Sequence, residues 1–194
     1  MLVIILLSAW IFLLYIFSKL RLEFFKFVIG SVGLFCFMMF YGKSTVEKYL
    51  EYGLTYSISI VGTVTRLFTA HPAYSMITIY HKLQAISFFV DYECSGFVEL
   101  LVFLCLIVFY PIYTNRERVI NSIIGTVYIF AANVIRVLFI CLSVKIFGGK
   151  IFFFSHTVFA RILFFGMMII LYYEVFTKPH IRRQRVGGLN YGKQ

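Results

Sequence analysis

Cys94, Arg136 and His156 are the residues whose types and placement could do chemistry. Each stands at an end of a separate, strongly apolar run, in the local sequences Glu93-Cys94-Ser95-Gly96, Asn133-Val134-Ile135-Arg136 and Ser155-His156. A thiol is nucleophilic as its thiolate, which a nearby cation or a helix N-terminus favours. An imidazole takes up and returns a proton near neutral pH, and a guanidinium can hold a developing oxyanion. Brought together, the three could attack an acyl group.

Each residue also has a plainer reading. Cys36, Cys105 and Cys141 lie within apolar runs and read as small buried residues, whereas Cys94 has polar, compact neighbours. There is no CxxC pair, and four widely spaced cysteines form neither a disulfide framework nor a zinc site. No metal or other cofactor is expected. Cys94 reads as opening a helix, with Gly96 permitting close backbone approach. Arginine in an apolar run is costly and marks a functional site by default, although it can also snorkel to the headgroups. Asn133, three residues before Arg136, shares its helix face. A lone interfacial histidine is more often a solvated polar group, so His156 gains interest only beside Cys94. His71 and His81 are weaker rivals, and His180 falls in a basic tail. Glu99 and Arg161 each follow Cys94 and His156 by five residues, about 7–8 Å along a helix. Charges at such depth should pair, which predicts a supporting Glu99–Arg161 bridge.

The elements that position these residues belong to a membrane. The 194 residues are 61% hydrophobic and 13% charged, far from the roughly 25% charge of a soluble domain. Net charge is +10, concentrated between apolar runs and in the tail with Lys178, Arg182, Arg183, Arg185 and Lys193. Anionic headgroups account for that pattern, and no nucleic-acid motif accompanies it.

Leu2–Phe17 lacks a basic leader and a small-residue cleavage site, so it reads as a retained helix. Phe27–Tyr41 is a second apolar run, and charged Lys43–Tyr52 is expected to be a loop or interfacial turn. Gly53–Ala70 has a one-faced apolar pattern and reads as an interfacial or re-entrant helix rather than a crossing. Met76–Tyr80 and Ile86–Tyr92 predict a small β-hairpin. Helices then run from Cys94 to Tyr110, from near Val119 past Arg136, and from His156 to Phe176, with Thr114–Arg118 a short connection. Eighteen residues separate Arg118 from Arg136, a rise of about 27 Å and close to one hydrocarbon thickness.

Placing Lys19/Arg21/Lys26, Arg116/Arg118 and the C-terminal cluster inside satisfies the positive-inside rule and puts the reactive trio outside. The expectation is an all-α polytopic membrane protein with five or six transmembrane helices, an interfacial helix and a small extracellular β-hairpin. Residues 1–177 form one transmembrane domain and 178–194 a basic cytoplasmic tail.

Glu93-Cys94-Ser95-Gly96 opening a membrane helix, Asn133-x-x-Arg136 on the next and His156 on the last resemble the exosortase/archaeosortase family over roughly residues 76–176. The resemblance implies a multi-pass cysteine protease/transpeptidase of a bacterial plasma membrane with its site facing the exterior. It would cleave exported proteins that end in a short motif, a transmembrane helix and a basic tail. It makes Cys94 the nucleophile, Arg136 the charge stabiliser and His156 the acid/base; Glu93, Ser95, Gly96, Asn133, Glu99 and Arg161 are expected, from their own placement, to be supporting residues. Ala160 stands where the family often has glycine, and the chain is short, like compact Gram-positive members. Two other readings stay open: a small transporter or scaffold without catalysis, and a lipid-linked acyltransferase.

Overall fold

Backbone in lipid has no water to bond, and a helix satisfies its groups within one segment. The computed structural model describes residues 2–41, 43–81, 84–90 and 92–187 and is mostly helical. α1 (Leu2–Lys19) and α2 (Glu23–Tyr41) form a hairpin that turns at Arg21, in the left-handed region with φ 56°. The Trp10 indole N–H donates to the Ile29 carbonyl at 3.0 Å and ties the two helices together.

α3 (Lys43–Thr65) contains the charged stretch that the sequence predicts as a loop, and it ends before the predicted Ala70. Leu54, Thr55 and Ile58 line its buried face, while Tyr52, Tyr56 and Ile60 are exposed. Arg66 breaks the helix with a φ of 53°.

The predicted hairpin gains a strand. β1 (Phe68–His71) pairs antiparallel with β2 (Met76–His81), which pairs antiparallel with β3 (Gln84–Phe89), in the order β1-β2-β3. Ile77, Ile79 and Phe88 form the buried face of this sheet and share one core with Leu54, Ile58, Val137, Ile140 and Cys94.

Beyond a one-turn helix, α4 (Tyr92–Ser95), comes α5 (Phe97–Phe109), which packs along α2. α6 (Asn115–Phe147) follows and is longer than the sequence predicts. Thr114–Arg118 proves to be its cap and first turn. The Thr114 hydroxyl accepts from the Glu117 N–H at 3.4 Å, and the Glu117 carboxylate accepts from the Thr114 N–H at 2.8 Å. At 33 residues α6 is about 50 Å long, well over a hydrocarbon thickness. Its end packs against β2, where Lys145 Nζ donates to the Tyr80 carbonyl at 2.7 Å.

The last rod consists of α7 (Phe152–Phe154), a π-helical turn (Ser155–Phe159), α8 (Ala160–Tyr172), a second π turn (Tyr173–Thr177) and α9 (Lys178–Gly187). Among the described residues, three helical stretches are long and apolar enough to cross a membrane: Glu23–Tyr41, Asn115–Phe147 and Gly149–Arg182. Leu6–Lys19 and Phe97–Phe109 are shorter apolar helices. By length and composition the chain is a membrane protein.

Close packing of α5 on α6 depends on Gly125. A Cβ there would lie 2.0 Å from the ring of Phe103, which is fully buried and hemmed in by Tyr172 and Phe176. Gly125→Val is therefore expected to lower stability by about 1–3 kcal/mol, read as a lower melting temperature in detergent. Unchanged melting would contradict this packing.

Candidate active site

The chain leaves β3 through Val90, whose N–H donates to the Ser75 carbonyl at 2.8 Å, and enters α4. Gly96 then takes φ 73°, which ends that turn and starts α5 in a new direction. The Ser95 hydroxyl accepts from the Phe97 N–H at 3.3 Å across the break. Cys94 therefore does not open the long helix, as the sequence predicts, but sits in the single turn before it. Gly96 is needed for space as well as for its dihedral: a Cβ would lie 1.8 Å from Asn133 Nδ2.

α6 supplies the second wall. Asn133 and Arg136, one turn apart, are 1% and 2% exposed. Asn133 Nδ2 donates to the Ile129 carbonyl at 3.1 Å, which fixes the amide against Gly96. Arg136 Nη2 approaches Cys94 Sγ at 3.9 Å, and its guanidinium lies over the Phe164 ring, 5.4 Å from the centroid. Such burial rules out a snorkelling arginine.

The last rod supplies the third. His156 does not open it: the rod begins at Phe152, and His156 lies in the π turn. Single π turns within α-helices occur often at functional sites. The imidazole stacks on Phe152, with centroids 5.6 Å apart and planes 24° apart. Its Nε2 lies 3.0 Å from Cys94 Sγ.

Three elements distant in sequence thus bring Cys94, Arg136 and His156 into one cluster. In the neutral pair the Cys94 thiol donates to Nε2; after proton transfer the imidazolium N–H donates back to the thiolate. Arg136 adds a second, buried cation beside the sulfur, which favours the thiolate further.

Next to the cluster is a cavity of about 750 Å³ lined by Glu99, Arg136, Arg161, Phe164 and Tyr172, among others. Glu99 and Arg161, predicted to support the site, line this cavity together with Arg136.

Of the remaining candidates, the side chain of Glu93 lies outside the described residues. His81 Nδ1 pairs with the Lys145 carbonyl at 2.8 Å, so it serves the junction of sheet and α6. His71 is exposed in β1, lining a separate cavity with Arg66. Cys105 and Cys141 are buried as expected, but Cys36 is exposed on α2 because that helix turns much of its surface outward.

Sequence reasoning missed Phe152 and Phe164, the rings that carry His156 and Arg136. Phe152 was findable, four residues before the histidine and so on its helix face. Phe164 had no comparable signal, since it meets Arg136 across helices. Comparison with protein-family models, characterised proteins and solved structures finds no match.

Proposed function

We propose that this protein is a membrane-embedded cysteine transpeptidase acting on exported proteins at the outer face of a bacterial plasma membrane. The observation that carries this reading is the 3.0 Å approach of Cys94 Sγ to His156 Nε2 with Arg136 alongside. The order and spacing of the motifs resembling exosortases support it. In this reading the shorter helices Leu6–Lys19 and Phe97–Phe109 cross together with the three longer ones, for five spans, and α3 lies in the interface. Were α3 to cross, there would be six.

The Cys94 thiolate attacks the carbonyl of a substrate peptide bond, forming the S–C bond. The C–N bond breaks as imidazolium His156 gives its proton to the leaving amine. Arg136 stabilises the oxyanion between these events. An acceptor amine, deprotonated by His156, then attacks the thioester, and the sulfur leaves as thiolate. The substrate is an exported protein ending in a short motif, an apolar helix and a basic tail.

The direct test co-expresses the protein with an epitope-tagged substrate of that design. A covalent adduct on Cys94, released by neutral hydroxylamine, is expected by mass spectrometry. Its absence from wild type under conditions that cleave the tag would overturn the thioester route. An acyl group recovered on lipid with no peptide cleaved would favour an acyltransferase instead.

Arg136→Gln is expected to lower processing about 10²–10³-fold, the usual effect of losing one oxyanion donor. It should also move alkylation of Cys94 to higher pH, because removing a cation disfavours the thiolate. A variant with wild-type rate and pH profile would remove Arg136 from the chemistry.

A further inference from the structure

The two edges of the sheet are treated differently. β1 is four residues long, runs into Pro72 and lies along α3, so its edge is short and covered. β3 is six residues long, Gln84-Ala85-Ile86-Ser87-Phe88-Phe89, with no proline and no charge. Natural proteins usually blunt an exposed edge with charge, proline or a covering element, because its free backbone groups recruit another strand. Among the described residues, β2 is the element packed extensively along β3.

The register shows which groups are open. The Val90 N–H bonds the Ser75 carbonyl, so the narrow pairs continue as Ile77 with Phe88 and Ile79 with Ile86. Ala85, Ser87 and Phe89 therefore direct their N–H and C=O groups away from β2. All three are exposed residues. Thr78 and Ser87 are a wide pair, consistent with the 2.9 Å contact between their hydroxyls.

The strand itself is tied to the reactive cluster through its inner face. β3 ends five positions before Cys94. Phe88 packs on Phe152 with centroids 5.4 Å apart, Phe152 stacks on His156 at 5.6 Å, and His156 reaches Cys94 at 3.0 Å. An added strand of about four residues would span roughly 13 Å along this edge.

We infer that the open edge of β3 binds the substrate polypeptide as an added strand, delivering the residues beside the scissile bond to Cys94. Backbone hydrogen bonds to Ser87 and Phe89 supply register without demanding a particular side chain, the mode of other strand-adding recognition sites. The inference rests on Cys94 being the nucleophile, and the test separates the two claims.

Labelling of Cys94 in the full-length protein is followed with two reagents, iodoacetamide and acetyl-tetra-alanyl chloromethyl ketone. Ser87→Pro removes one outward N–H while leaving the ladder with β2 intact. Ser87→Ala is its control, losing the same hydroxyl contact with Thr78 but keeping the N–H. Relative to Ser87→Ala, Ser87→Pro is expected to slow the peptide reagent about fivefold or more, with iodoacetamide unchanged. A probe N-methylated at its internal amides should lose its advantage on the wild-type protein. If Ser87→Pro perturbs the iodoacetamide rate as well, the N-methylated probe decides. Equal rates for Ser87→Pro and Ser87→Ala, or for the methylated and unmethylated probes on wild type, would overturn strand addition alone. A Cys94 inert to both reagents would overturn the nucleophile and this inference together.

Discussion

Cys94→Ala is expected to abolish cleavage of the epitope-tagged substrate, a fall of about 10⁴-fold or more, as when other covalent nucleophiles are removed. In the proposed route the sulfur both bonds the substrate carbonyl and exchanges a proton with His156 Nε2, 3.0 Å away. Its side chain is small and 1% exposed, so trimming it leaves the surrounding core of Ile58, Phe88 and Val137 in place. Melting of the variant should thus stay near wild type while processing is lost. Pulse-chase immunoblotting of the tagged substrate reads the first and thermal unfolding the second. Cys94→Ser is expected to be nearly as inactive, because a hydroxyl beside imidazole yields far less anion than a thiol. Processing that persists in Cys94→Ala would sink the covalent mechanism, leaving a transporter or scaffold as the better account.

Gly96→Ala is expected to act almost as strongly without touching a reacting atom. A φ of 73° costs an L-residue about 1–2 kcal/mol. The new methyl also collides with Asn133 Nδ2, at 1.8 Å. That amide cannot swing aside freely, being buried and held to the Ile129 carbonyl. The α4–α5 break must then shift, and Cys94, two residues away, shifts with it. A displacement of about 1 Å is enough to lower a positioned reaction roughly 100-fold. Combining Gly96→Ala with Asn133→Ala removes the collision but not the dihedral strain, so recovery should be partial. Cleavage rates and the pH dependence of Cys94 alkylation report the geometry, and melting reports the strain. A single variant that matches wild type in all three would show that the break does not position the sulfur.

Much of the site was legible in the residues because polar groups in apolar runs are conspicuous. Arg136 and Asn133 stand out in α6 for that reason, and Cys94 differs from the other cysteines by its neighbours alone. The predicted helix start at Cys94 failed for a specific reason: a glycine can either extend a helix or break it. The collision with Asn133, 37 positions later, is what the local sequence does not contain. His156 failed similarly. Phe152–Phe154 and the π turn join it to a rod that packs on α6, a contact between distant segments.

The amino-acid order alone determined the apolar runs, the basic connections between them and the few polar residues placed at their ends. These follow from composition and from a fixed rise per residue, so they are countable along the chain. Folding decided the third strand, the reach of α3 and the meeting of sulfur, imidazole and guanidinium at bonding distance. Those outcomes depend on which faces bury one another across segments tens of residues apart, and no local pattern records that choice.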